Sequence, residues 1–193
     1  MPNGKGYALE FHKSHYRATD IPFMCATGYG FLCITFHTQK DEEQSLVSNA
    51  NPDDPDQSFT EIAVSSNALF IRGIKDKQRV DIPIQHNCRQ WTTLFVDWMV
   101  TETNITGNYI INNDKKLMGK FSLPIGLLCG NYIDIGCRGH ILSHPFYGAI
   151  STLEIHTSHK GKVISPALRD LVINDQLIHG DKDMPPAKKK KCI

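Results

Sequence analysis

From Gly30 to Thr157 the chain is built of short runs in which every second residue is apolar, cut by turn residues. A period of two is the mark of strands that bury one face. In the segment from Gly30 to His37, Leu32, Ile34 and Phe36 share one strand face while Cys33, Thr35 and His37 share the other. The stretch from Phe59 to Ser66 repeats this with Ile62 and Val64 inward, breaks at Ser66-Asn67, and resumes at Ala68-Leu69-Phe70-Ile71, which reads as a hairpin. Arg79 to Gln85 alternates through Val80, Ile82 and Ile84, and Pro83 lacks an amide donor, so that strand belongs at an edge or a strand end.

The strongest strand runs from Trp91 to Val100, with Leu94, Val96, Trp98 and Val100 on one face and Thr93, Phe95, Asp97 and Met99 on the other. Its length and pattern place it mid-sheet. A turn around Asn104 to Asn108, a strand at Tyr109-Ile110-Ile111, a tight polar turn at Asn112 to Lys115 and a strand from Leu117 to Phe121 make a meander. Asn131 to Gly136 and Gly148 to Thr157 add strands, the latter with Leu153 and Ile155 inward and Glu154 and His156 outward. One short C-terminal helix is expected, because Ser165-Pro166 supplies an N-cap and a first-turn proline ahead of Ala167 to Val172.

A length of 193 residues, 40% apolar and 21% charged, suits one all-β globular domain. The boundaries expected are a sandwich over 1–180 and a flexible basic tail over 181–193, where apolar residues give way to Asp181 to Ala187 and the run Lys188 to Lys191. The formal charge is +1, and without that run the body is slightly acidic, which argues against a nucleic-acid partner. No apolar window is long enough for a transmembrane helix. The opening MPNGKGYALEF lacks the pattern of a secretory signal, which leaves both an intracellular chain and one starting after a removed leader open.

Six cysteines, Cys25, Cys33, Cys88, Cys129, Cys137 and Cys192, include no CxxC pair. Equal spacing of Cys25/Cys33 and Cys129/Cys137 allows two disulfides between neighbouring strands; free buried thiols are the other reading. Asn104-Ile105-Thr106 is a glycosylation sequon, meaningful only in a secreted chain.

Several short motifs together resemble laminin G-like domains of the concanavalin A-like lectin and glucanase superfamily. They are Trp91 with Leu94 and Val96, the hairpin tip from Asn112 to Lys116, the pair Ile135-Gly136, and the closing series Phe146, Gly148, Ile150 and Leu153. The resemblance covers roughly Gly30 to His156 and implies a concanavalin A-like jelly-roll sandwich of two antiparallel sheets. Gly148 suits a strand bend or a close backbone approach. The chain departs from the family in that Cys129 and Cys137 precede the closing motif and only Cys192 follows it. The resemblance favours an extracellular or cell-surface placement over a cytoplasmic one.

No paired-carboxylate run of the kind glycoside hydrolysis needs occurs, nor a Gly-x-Ser-x-Gly, a His-Glu-x-x-His or a phosphate loop, so no enzyme is expected. The family often holds calcium at the sandwich rim, and Asn51, Asp53, Asp54 and Asp56 offer the hard oxygen ligands that ion takes; the alternative is a solvated acidic loop stiffened by prolines. The close histidine pairs His12/His15, His140/His144 and His156/His159 read as surface histidines before metal ligands.

Arg138, His140, His144 and Tyr147 form the preferred ligand-binding rim, since loops held by a rigid sandwich carry recognition. Tyr29, Tyr147 and Phe146 are the contributors available for an aromatic sugar platform. The expected function is recognition of a glycan or a protein surface. A self-assembling structural protein, pairing through sheet edges or faces as a homo-oligomer, is the alternative. The tail from Lys188 to Cys192 reads as a solubilising end, an import-like basic cluster or a membrane-surface patch with an acylatable cysteine.

Overall fold

The structure is a computed structural model, and it describes residues 7–12, 15–19, 23–24, 28–50, 58–125, 132–139, 144–159, 162–164, 177–179 and 189–191. Among these described residues fifteen strands form two sheets in which every pairing is antiparallel. The described residues contain no helix; the helix expected after Ser165 lies outside them.

In spatial order the first sheet carries β10 (Asp114–Leu123), β9 (Ile105–Ile111), β8 (Thr92–Val100), β3 (Gly28–Thr38), β12 (Tyr147–His159), β1 (Tyr7–His12) and β15 (Lys189–Lys191), with β13 (Lys162–Ile164) also paired to β12. The second sheet carries β14 (Leu177–His179), β2 (Tyr16–Thr19), β11 (Tyr132–Ile135), β4 (Gln44–Ser48), β5 (Phe59–Val64), β6 (Ala68–Lys75) and β7 (Gln78–Gln85). This is the jelly-roll sandwich of two antiparallel sheets that the resemblance to laminin G-like domains implies. β8 is interior, between β3 and β9, and β7 with Pro83 is the last strand of its sheet, as the sequence predicts.

Alternation decides which side chains meet between the sheets. Leu32, Ile34 and Phe36 of β3 and Leu94, Val96 and Trp98 of β8 pack with Ile62, Val64, Leu69 and Ile71 of the facing sheet in one buried core. Aromatic rings close its ends. Phe146 meets Phe11 and Phe36 edge-on at centroid distances of 5.7 and 6.5 Å, and Phe23 meets Trp98 at 5.5 Å.

Trp98 is paired with Gly30 on one side and Gly107 on the other, and a Cβ at Gly30 would overlap its indole. The indole thus takes the space at Gly30, whereas at Gly107 a Cβ would overlap the Asp97 carbonyl and the Phe121 ring. At Gly148 a Cβ would overlap the His37 carbonyl, which is the close backbone approach expected there. Two hairpins turn on residue pairs in the left-handed region, Asn112-Asn113 (φ 53° and 55°) and Asp76-Lys77 (φ 50° and 65°), as two-residue type I′ turns require. The first pair is a favoured turn sequence; Asp76-Lys77 is a weaker one, and only the pairing of β6 with β7 reveals it.

Cys33, Cys88 and Cys137 are buried free thiols, while Cys25, Cys129 and Cys192 lie outside the described residues. The free-thiol reading therefore holds for Cys33 and Cys137.

Candidate functional site

The two sheets present very different outward faces. Across the second, the pairing register sets Arg17, Asp134, Ser48, Glu61, Arg72 and Asp81 in one row, one residue from each of β2, β11, β4, β5, β6 and β7. Arg17 holds Asp134 through two hydrogen bonds of 2.7 and 2.8 Å. Arg72 donates to Asp81 at 2.6 Å, to Glu61 at 2.7 Å and to Glu43 at 2.9 and 2.8 Å. Burial alone would depress the Arg72 guanidinium, but hydrogen bonds to Glu43 and Asp81 outweigh it and raise its pKa. The Arg17 guanidinium is likewise raised, chiefly by its hydrogen bond to Asp134.

The expected rim residue Arg138 belongs to this network. Its Nε and Nη2 donate to the two carboxylate oxygens of Glu61 at 2.9 and 2.7 Å, and its guanidinium lies 5.6 Å from the Phe59 ring centroid. His144 is exposed, in the left-handed region at φ 52°, and its carbonyl accepts the Ser45 amide at 2.8 Å. Its pKa is lowered, first by desolvation and then by the Arg138 charge.

Tyr147 stands elsewhere, on the first sheet, with Lys40 Nζ 4.2 Å above its ring. So the structure brings Arg138 and His144 together over the second sheet and separates them from Tyr147. His140 lies outside the described residues, as do Asn51, Asp53, Asp54 and Asp56. Phe146, offered by the sequence for a sugar platform, is fully buried in the core, because it occupies an inward position just ahead of β12. Among the described residues no three His, Cys, Asp or Glu side chains gather as a metal cluster would require.

The outward face of the first sheet is the one that stays accessible. Register aligns Tyr29, Met99, Thr106 and Ser122 in one row, and His156, Phe31, Asp97, Asn108 and Lys120 in the next. Tyr29 is 68% exposed and Met99 36%, unusual for large apolar side chains on a sheet. Phe31 stacks on Phe95 at 6.0 Å with 29° between planes, and the His156 ring sits 5.9 Å from Phe31. Asp97 Oδ1 accepts from the Asn108 amide nitrogen at 3.0 Å and from Asn108 Nδ2 at 2.8 Å, which fixes a carboxylate and an amide side by side. At this end a shallow depression of about 970 Å³ is lined by the outward Tyr29, Asp97, Met99, Asn108 and Lys120 together with the inward Trp98 and Phe121 and Ile82 of β7 in the second sheet.

Sequence reading identified Tyr29 and the outward positions of β8, but not their convergence. That depends on the register between β3, β8, β9 and β10, which no single segment encodes.

Comparison with solved structures gives the same architecture. Domains LG4-5 of the mouse laminin α1 chain match with a TM-score of 0.59 at 12% identity, over 98% of this chain and 48% of that one. The Ruminococcus gnavus IT-sialidase CBM40 bound to α2,3 sialyllactose matches with a TM-score of 0.58 at 14% identity, over 86% and 95%. A heptameric SAP-like pentraxin from Limulus polyphemus matches with a TM-score of 0.55 at 15% identity, over 79% and 76%. The chain spans about half the length of the laminin α1 structure (48%). No family model and no curated protein matches the sequence. The fold is thus a laminin G-like, concanavalin A-like jelly roll.

Proposed function

We propose that the protein is a non-enzymatic recognition module that binds a glycan on the outward face of its first sheet. The observation that carries this reading is the exposed Tyr29 ring beside Asp97, Asn108 and Lys120. A sugar offers apolar C–H faces and a rim of hydroxyls that both donate and accept. An accessible aromatic ring takes the first, and a fixed carboxylate, amide and ammonium take the second. The signs on this face are mixed, with Asp97 and Glu154 against Lys120, which suits a neutral ligand better than a polyanion. The solved neighbours support the fold, and one of them is a carbohydrate-binding module seen with sialyllactose. An extracellular or cell-surface location belongs to the same proposal.

Binding to a glycan array, followed by titration calorimetry on any glycan retained, tests the proposal. Tyr29→Ala and Lys120→Ala alter exposed side chains, so both variants should keep the melting temperature and lose about tenfold in affinity. An array without a single retained glycan, or a ligand indifferent to both substitutions, rules this site out.

Protein partnering or self-association is the second reading. It is supported by the apolar row that Phe95, Ile110 and Met118 form toward β10, where Met118 is 58% exposed. Sedimentation of the wild type against Met118→Lys separates the two, because only self-association predicts an oligomer that the added charge dissolves.

A further inference from the structure

The depression at Tyr29 is one end of a longer surface. Eight residues further along β3, His37 faces outward beside Trp91, with the rings edge-to-face at 4.6 Å. The β1–β12–β3 register places Glu10 next to Ala149 and Ala149 next to His37, and it pairs His12 with Tyr147. Glu10, His12, Tyr147 and the Lys40 ammonium over its ring therefore gather around Trp91 and His37 on the same outward face. His12 Nε2 lies 3.6 Å from Glu10 Oε2. This second centre resembles the first in composition, with the half-buried rings of Trp91 and Tyr147 surrounded by donors and acceptors of both signs.

The paired outward residues of β3 and β8 run from one centre to the other. Thr35 and Thr93 face each other across β3 and β8 with their hydroxyls 2.9 Å apart, and Cys33, Phe31 and Phe95 complete the floor. At about 3.3 Å per residue, the separation of Tyr29 and His37 along the strand is roughly 26 Å. A single sugar cannot reach both ends.

We propose that the ligand is an extended, neutral oligosaccharide that lies along β3, with Tyr29 and Trp91 as its two aromatic contacts. This rests on the glycan-binding reading above and specifies its ligand class. Joining two weak contacts in one molecule makes the second encounter intramolecular, so affinity grows with ligand length until both centres are filled.

The test is titration of linear neutral glucans, cello-, malto- and laminari-oligosaccharides, each as disaccharide and as octasaccharide, alongside the array above. The expected result is an octasaccharide that binds at least tenfold tighter than its disaccharide. Trp91→Ala and the exposed Lys40→Ala should each remove most of that gain, and Tyr29→Ala should do the same from the other end. Trp91 is half-buried, so thermal unfolding accompanies its variant, and Lys40→Ala carries the test should Trp91→Ala destabilise the fold. Equal affinity for short and long glucans, or an octasaccharide insensitive to both far-end variants, overturns the extended ligand while leaving a compact site at Tyr29 standing. If array glycans bind but none of these glucans does, the neutral linear class is wrong. If nothing on the array binds, both proposals fall together.

Discussion

Arg72 Nη1 lies 2.7 Å from Glu61 Oε2 with both side chains wholly shielded from solvent. A buried charge without its partner is expensive, and removal of one member of such a pair costs about 3–5 kcal/mol. The network is not symmetric, however. Arg72 bridges Glu43, Glu61 and Asp81, whereas Arg138 serves Glu61 chiefly, which keeps Arg72 if Arg138 is lost. Arg72→Met should therefore lower unfolding free energy by about 3–5 kcal/mol, and Arg138→Ala by only about 1–2 kcal/mol. Urea unfolding of both variants measures the difference; an Arg138 variant that is the weaker of the two contradicts this hierarchy.

The Trp98 slot makes a second prediction. Gly30→Ala pushes a methyl group into the indole, and overpacking of this kind costs about 1–3 kcal/mol. Trp98 is 3% exposed, and the chain has two tryptophans, the other being the half-buried Trp91. The substitution should lower the melting temperature and shift the tryptophan emission. A Trp91→Phe background isolates the Trp98 contribution, and an unchanged melting temperature there refutes the packing argument.

These two cases also show how far the sequence could be read. Alternation alone located β8, the interior face of β3 and the meander through β10, because a period of two is written in consecutive residues. The pairing of Arg17 with Asp134, 117 positions apart, or of Arg138 with Glu61, 77 apart, is written in none of them. Arg138 reads as a rim residue because its neighbours in sequence are loop residues, and its hydrogen bonds to Glu61 are visible only in the folded chain. β5 reads in sequence as a half-exposed strand, yet all six of its residues are buried, since Glu61 and its row are covered as well. The outward aromatic face was legible strand by strand as the other half of each alternation. Its two centres emerge only when four strands are laid side by side.

Acid should weaken the fold in two stages. His37 and His86 have pKa values below the ordinary 6.5, each mainly through desolvation, partly offset at His37 by the Thr38 backbone and Glu10. The unfolded chain therefore takes up protons first as pH falls below 6.5, and stability declines until the lowered folded-state values are reached. Glu43 is depressed mainly by its hydrogen bond from Arg72. At Asp81, burial would raise the pKa, and hydrogen bonds from Arg79 and Arg72 outweigh it. Their contribution is complete above the ordinary values of 4.5 and 3.8 and is lost as pH drops through the lower folded ones. Melting temperatures from pH 8 to pH 3 should show both declines, with the first reduced in a His37→Gln, His86→Gln variant. A flat profile between pH 7 and pH 5 excludes the histidine contribution.

Thiol chemistry should report folding rather than function. Desolvation pushes Cys33 up to about 11, with help from Glu154, and Cys88 to about 12; Cys137 is raised further, again mainly by burial. The thiolate is the reactive form, so these three side chains should be silent toward a disulfide-exchange reagent in the native protein and react on unfolding. Rapid native labelling of any of them, mapped by peptide mass, shows that the sheet around it opens.

Calcium is a separate proposal for the loop that joins β4 to β5. Its near end is pinned: Asn49 Nδ2 donates to the Phe23 carbonyl at 2.7 Å, Asn49 Oδ1 accepts the Thr60 amide at 2.7 Å, and Ser48 Oγ accepts the Ala50 amide at 3.1 Å. Asn51, Asp53, Asp54 and Asp56 follow directly in sequence, and oxygen ligands of this density are what a hard divalent cation takes. An ion that binds only the folded chain adds about 2.7 kcal/mol at a hundredfold excess over its dissociation constant. Calcium should therefore raise the melting temperature of the chelator-treated protein, and a triple Asp53→Asn, Asp54→Asn, Asp56→Asn variant should lose that rise. Magnesium supplies the control, since it holds its waters more tightly and prefers a stricter octahedral site. Identical melting curves with calcium and with chelator would leave this loop as a solvated acidic turn, and the recognition reading would then rest on the first sheet alone.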